Sequence, residues 1–281
     1  MNTLIHTYFS GKSIVRLAFL FILPTLLSGT CQTPVAPAVS VDLPKGPVEQ
    51  EQAIATEQIQ HDSIPVKIYS KEELLGRFEP SKHPDFTVIQ KVHTGKSGIY
   101  MQKEAYDAFQ RMYAAAKKDG ISMVIISATR NFDYQKGIWE KKWLREKYKG
   151  MSERDKVADI LKYSSMPGTS RHHWGTDVDF NSVELSYWES GVGAKLYAWL
   201  VAHASEFGYA QTYTKKSAGR TGYEEEKWHW SYIPIAKAMH RQYRTTIQYK
   251  DISGFSGCKE AASVNVFETY VDGIAPNLLP E

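Results

Sequence analysis

Ser170-Arg171-His172-His173-Trp174-Gly175-Thr176-Asp177-Val178-Asp179 is the stretch that decides how this chain is read. Its first half crowds two imidazoles and an indole before a glycine. Its second half, continued to Phe180, alternates like a strand. Side chains two apart on a strand share a face, so Asp177 and Asp179 point the same way. Further along, Glu226-Lys227-Trp228-His229-Trp230-Ser231-Tyr232 carries a third histidine, and Trp228 to Tyr232 reads as another strand. Glu226 and His229 are three apart and would face opposite sides of a regular strand. A turn or bulge must therefore separate them, or Glu226 must sit in the loop before the strand.

Together the two stretches hold the inventory of a hydrolytic zinc site. Such a site takes three protein ligands and leaves one position open for water. Imidazole and carboxylate suit the ion, and a nearby glutamate can take the proton of the water. His172, Asp179 and His229 are the candidate ligands, Glu226 the candidate base, and His173 the rival of His172. Either stretch alone is a weak signal; their joint occurrence in one domain is a strong one.

The surrounding sequence supplies helices and short strands without a βαβ rhythm. Ala105, Phe109, Met112, Tyr113 and Ala116 recur at helical spacing, with Gly120 as a stop. Ser122 to Ser127 is a short apolar run that predicts a buried strand. Tyr134 to Tyr148 predicts a helix with Ile138, Trp139, Trp143 and Leu144 on one side, and Glu153 to Tyr163 another. Leu196, Leu200, His203 and Phe207 mark a helix ending at Gly208, with His203 a boundary histidine. Tyr209 to Thr214 reads as a strand, Ile235 to Tyr243 as a helix, and the residues from Phe267 to Ile274 as a short helix. The expected fold is α+β: a single compact domain with a small antiparallel sheet flanked by helices.

With 42% hydrophobic and 23% charged residues, the chain is neither wholly disordered nor collagen-like nor a multi-span membrane protein. A net charge of +3, with no long basic block, gives no argument for nucleic acid as a partner. Lys12 and Arg16 precede a short apolar run from Leu17 to Leu27. Ser28-Gly29-Thr30 and Cys31 follow. Residues 1–30 therefore read as an export signal, one that resembles a bacterial lipoprotein signal in which Cys31 becomes the lipid-anchored N-terminus. Residues 31–65 are proline-rich and read as a tether, 66–250 as the catalytic domain, and 251–281 as a C-terminal extension packed on it. The two cysteines, Cys31 and Cys258, cannot make a disulfide framework.

Ser170-x-His172-x-x-Gly175-x-x-x-Asp179, followed by Glu226-x-Trp228-His229, resembles the VanY-like D-alanyl-D-alanine carboxypeptidases, zinc peptidases grouped with the lysostaphin-type endopeptidases and the hedgehog fold. Ser127-Ala128-Thr129-Arg130-Asn131-Phe132-Asp133-Tyr134-Gln135 is similar to a third family segment, and Gly222-Tyr223 also matches. The resemblance covers about residues 90–245. It implies one zinc ion on His172, Asp179 and His229, Glu226 as general base and acid, and Arg130 facing the reacting carbonyl. It further implies that Ser170, Gln135 and Tyr223 shape the substrate site. The Ser-x-His frame favours His172 over His173, which becomes a pocket or supporting residue.

Two positions depart from the family pattern. Asp177 stands where the family usually has alanine, so it would sit beside the metal, accept a hydrogen bond from a ligand, or contact substrate, and it is read as a substrate-binding residue. Ala128-Thr129 replaces the usual Gly-Tyr. The activity implied is removal of the terminal D-Ala from peptidoglycan stem peptides in the bacterial cell envelope. The alternatives are an endopeptidase or dipeptidase of the same group, and a zinc-stabilised lipoprotein that holds cell-wall peptides without cutting them.

Overall fold

A computed structural model describes residues 67–280. The expected leader, Cys31 and the tether lie outside those residues. Among the described residues no helix is long and apolar enough to cross a membrane.

The elements follow in the order α1 (Lys71–Leu75), β1 (Phe86–Val88), β2 (Tyr100–Gln102), α2 (Lys103–Lys118), β3 (Ile125–Ser127) and α3 (Phe132–Trp143). Then come α4 (Glu153–Ile160), β4 (Asp177–Phe180), α5 (Gly191–His203), β5 (Tyr209–Gln211), β6 (His229–Tyr232) and α6 (Ile233–Thr246). Strands β1 and β2 form an antiparallel pair that no sequence pattern had marked. The other four form an antiparallel sheet in the order β3-β4-β6-β5. The architecture is α+β, as expected.

The central strands explain the site. Every residue of β4 and β6 is buried, because both faces of the sheet are covered. Val178, Phe180, Trp230 and Tyr232 pack on one face against α2 and α5, among Phe109, Met112, Leu196 and Leu200. The alternate residues, Asp177, Asp179, His229 and Ser231, occupy the other face. Register places Asp179 opposite His229 and Asp177 opposite Ser231. A second core lies beyond that polar layer, built from Trp139, Trp174, Tyr213, Tyr223, Met239 and Tyr243. Residues after 251 enter it as well, burying Phe255, Phe267 and Ile274.

Several boundaries differ from the sequence reading. The helix expected to run from Tyr134 to Tyr148 stops at Trp143, and Leu144, expected on its buried side, is 80% exposed. Trp139 and Tyr148 are both buried in the same core. At about 100° per residue, a continuous helix would put them on opposite sides. The chain therefore leaves the helix and turns Tyr148 back through a 3₁₀ turn, Glu146–Tyr148. The strand expected from Ser122 shortens to Ile125–Ser127, and the one expected over Tyr209 to Thr214 ends at Gln211. The C-terminal segment forms a π turn, Phe267–Val271, rather than an α-helix.

Candidate metal centre and its cavity

His172 is set by the turn between α4 and β4. Arg171–Trp174 form a 3₁₀ turn that Gly175 closes with φ +73°. A Cβ at Gly175 would clash with the Phe86 ring, so both backbone conformation and space require glycine there. The His172 Nδ1–H donates to the Ala128 carbonyl at 2.7 Å, which leaves Nε2 as the free lone pair. That Nε2 is buried without a hydrogen-bond partner and lies 3.4 Å from Asp179 Oδ2.

His229 is oriented from the opposite side. Its Nε2 faces Asp177 Oδ1 at 2.9 Å, and its Nδ1 faces Asp179 Oδ1 at 3.2 Å and Glu226 Oε2 at 3.6 Å. Ligand atoms of His172, Asp179 and His229 all lie within 4.8 Å of one another. Tetrahedral zinc with bonds of about 2.0–2.2 Å places its ligand atoms roughly 3.3–3.6 Å apart. The 3.4 Å separation, to Asp179 Oδ2, sits at that spacing, and the 3.2 Å separation, to Oδ1, falls just below it. The free Nε2, the paired carboxylate and the Nδ1 with its back anchored are the donor set a divalent zinc ion needs, so these residues fit the ion.

Electrostatics supports this grouping. Burial alone would raise the Asp179 carboxyl, but His172 and His229 outweigh it and hold the group well below the usual range. Burial would lower His229, yet its bonds to Asp177 and Asp179 raise it to about 9. Glu226 behaves oppositely. Burial, assisted by Asp179, pushes it up to about 7 against the opposing pull of His229 and Arg130. It lies in the loop before β6, as the three-residue spacing required, and its carbonyl accepts a hydrogen bond from His229 N–H across the turn. A carboxyl 7% exposed, titrating near neutrality beside a ligand set, is suited to accepting and returning a proton.

Arg130 leaves the end of β3 just before Asn131 caps α3. Its N–H donates to the His172 carbonyl at 3.1 Å, and its guanidinium NH1 lies 3.9 Å from Asp179 Oδ2. Its Nε is buried and unpartnered. Arg130, His172, Asp179, Tyr223, Glu226 and His229 all line one cavity of about 530 Å³.

Three expected substrate contacts are placed elsewhere. Gln135 and Ser170 are buried and do not line the cavity; Gln135 Nε2 donates instead to the Ser165 carbonyl at 2.8 Å. Asp177 is fully buried behind His229, so the expected substrate contact is corrected to support of a candidate ligand. Its carboxylate also accepts from Arg171 Nε at 3.0 Å, Thr176 Oγ1 at 2.6 Å and Ser231 Oγ at 2.9 Å. Burial would raise this carboxyl, but Arg171 and His229 hold it well below the ordinary carboxylate value. His173 is not available as a ligand. Its Nδ1–H donates to the Arg130 carbonyl at 2.6 Å and its Nε2 accepts from Gly168 N–H at 2.9 Å.

The sequence reading did not single out Lys142, Tyr213 or Trp228 as cavity residues, nor Arg171 and Ser231 as partners of Asp177. A signal existed for two of them. Lys142 follows Ile138 by one helical turn, and Ser231 shares the His229 face of its strand.

A ligand-competent His-Asp-His cluster beside a buried carboxyl, at the foot of a cavity, is an arrangement able to carry out metal-assisted hydrolysis. The family model for VanY, D-alanyl-D-alanine carboxypeptidase, matches residues 98–235, which include every residue placed in this site. This segment of the chain belongs to that family. It is 30% identical over 129 residues to a D-alanyl-D-alanine carboxypeptidase of Enterococcus faecalis, covering 46% of this chain and 47% of that protein. It is 32% identical over 186 residues to YodJ of Bacillus subtilis, a provisionally named carboxypeptidase, covering 63% of each. The chain thus spans about half of the enterococcal relative and under two thirds of YodJ. Among solved structures, VanYB in complex with D-Alanine-D-Alanine is 25% identical, with a TM-score of 0.45, over 60% of this chain and 93% of that one.

Proposed function

We propose that this protein is a zinc-dependent carboxypeptidase that removes the terminal D-Ala from peptidoglycan stem peptides. The observation that carries the reading is the cavity floor. Three ligand atoms lie within 4.8 Å of one another, and a buried Glu226 raised to about 7 stands 3.6 Å from one of them. The enterococcal relative, a D-alanyl-D-alanine carboxypeptidase, supports the substrate class.

When bound, zinc would supply a Lewis acid that polarises the scissile carbonyl and lowers the pKa of water to near 7. Glu226 takes the proton of the attacking water and returns it to the leaving amine. Arg130, preorganised by its backbone bond to the His172 turn, places positive charge where the oxyanion develops. Asp177 and the Ala128 carbonyl keep the two imidazoles facing the cavity.

The reading of residues 1–30 as an export signal ahead of Cys31 supports a location in the cell envelope, with the domain held to a membrane by a lipid on Cys31. Failure of labelled palmitate to enter the protein would leave simple secretion in its place.

The decisive experiment is mass spectrometry of defined muropeptides after incubation with the zinc-loaded full chain. Loss of one alanine is the expected result. Loss of a dipeptide or an internal cut would replace the carboxypeptidase reading with dipeptidase or endopeptidase action. Unchanged muropeptides would leave a binding protein.

A further inference from the structure

The wall of the cavity carries a charge that the proposed chemistry does not use. Lys142 stands on α3, one turn beyond Ile138, and both residues line the cavity. The Lys142 ammonium makes no ion pair or hydrogen bond among the described residues, although it is partly buried. Glu184 and Glu226 line the same cavity, but neither reaches ion-pair distance of it. The charged groups crowding Lys142 are mostly of its own sign. Burial, Arg145 and Arg130 together push the ammonium down to about 8. A desolvated cation kept beside like charges and without a partner is an arrangement that an incoming anion relieves.

Arg130 and Lys142 stand at opposite ends of α3. At about 1.5 Å of rise per residue, Lys142 lies roughly 15 Å along the axis from the start of the helix. Arg130 is committed to the floor, 3.9 Å from Asp179. Lys142 has no such commitment, which leaves its ammonium available to a second anionic group in the same cavity. The cavity wall also offers apolar surface from Ile138, Tyr163, Val183 and Leu185, interleaved with Ser164, Ser165, Glu184 and Ser186. That wall suits the aliphatic part of a side chain whose end is acidic.

We propose that Lys142 is a docking subsite for a carboxylate of the substrate peptide, separate from the group that Arg130 meets. The inference rests on the peptidase reading above and narrows its substrate to peptides carrying a carboxylate near the cleaved bond. Two sources share this chemistry: an acidic side chain within the peptide, and the C-terminus itself.

The test is steady-state kinetics of the zinc-loaded full chain on matched stem peptides. In one pair the side-chain carboxylate is free or amidated; in the other the C-terminal carboxylate is free or amidated. Lys142→Met keeps the stem and removes the charge, while Lys142→Arg keeps the charge. A charge-assisted bond of this kind corresponds to about a 10- to 100-fold change. Lys142→Met should raise KM by that factor on the free acid, with a smaller effect on kcat. It should leave the corresponding amide nearly unaffected, and Lys142→Arg should restore most of the loss. A loss confined to the first pair identifies the side-chain acid, and a loss confined to the second identifies the C-terminus. Equal KM for wild type and Lys142→Met on every peptide overturns the subsite. Should wild type cleave none of them, the peptidase reading is what fails. Calorimetry of the free-acid peptides then judges the subsite alone, and equal binding by Lys142→Met overturns it.

Discussion

Replacing Asp177 by alanine should separate what this carboxylate does for folding from what it does for the metal site. Asp177 is fully buried and accepts four hydrogen bonds, from Arg171 Nε, Thr176 Oγ1, Ser231 Oγ and His229 Nε2. In Asp177→Ala the Arg171 guanidinium, 3% exposed, loses its carboxylate. Breaking a buried ion pair from one side costs about 3–5 kcal/mol, because the remaining charge is uncompensated. His229 also loses the group that fixes its ring, and loss of such a support lowers metal affinity by about 10- to 100-fold. Urea unfolding of the metal-free protein reads the first effect, and competition with a chromophoric chelator reads the second. Arg171→Met combined with Asp177→Ala removes both charges of the pair. It should recover most of the stability and none of the zinc affinity. A folded Asp177→Ala protein that binds zinc as tightly as wild type would refute the reasoning, since His229 would then need no anchor.

Glu226→Gln should keep the zinc content measured by elemental analysis and lower hydrolysis by about 10²–10⁴-fold, the usual effect of losing a general base. Turnover like wild type would place the base on another residue. His173 should make stability depend on acid, because burial pushes its imidazole from an ordinary 6.5 to about 3. The folded value lies below the unfolded one, so its stabilisation is complete above pH 6.5 and is lost as pH falls towards 3. In that window this group alone contributes a slope of up to about 1.4 kcal/mol per pH unit. Urea melts across the window should show that slope in wild type and a shallower one in His173→Gln; equal slopes would show that His173 charges freely in the folded state.

How much of this was legible in the sequence depended on where each partner came from. Asp179 and His229 are legible as ligands because their two motifs occur together in the family's order, whereas their opposition in the sheet is a register that the structure supplies. Glu226 could be assigned to a loop because three residues do not fit that period. The strand period puts Asp177 on the correct face and leaves support of a ligand and substrate contact both open; the structure shows the first. The surroundings of Asp177 come from the 3₁₀ turn at Arg171 and from β6 at Ser231, and no spacing along one element reports a contact between elements. Gln135 and Ser170 stand one layer behind the lining, which is not legible for the same reason, since their motifs mark the region but not whether a side chain reaches the cavity. Apolar periodicity continues past Trp143 and so overstates the length of α3, because the core requires Tyr148 to return to the Trp139 side.

A sheet buried on both faces must find partners for every polar side chain it carries. On the polar face of β4 and β6 the partners form one connected layer. His229 meets Asp177, Asp177 meets Arg171, and Arg171 reaches Ser231 Oγ at 2.7 Å and His240 Nδ1 at 3.4 Å. His240 Nε2 in turn meets Asp272 at 2.9 Å, and Asp272 pairs with Arg244 at 3.1 Å. The segment after residue 251 therefore closes the layer with a charge as well as covering it with Phe255 and Phe267. Against that background the unpartnered atoms are informative. Those found buried among the described residues belong to Arg130, Gln135, Ser170, His172, Thr212, Thr214 and Tyr223. Arg130, His172 and Tyr223 line the cavity, and Thr212 and Thr214 flank Tyr213, which also lines it. Gln135 bonds the cavity residue Ser165, and Ser170 leads into the His172 turn. The interior satisfies its polar groups behind the site and leaves them open around the cavity, which is the distribution expected where a metal, water and a peptide supply the missing partners.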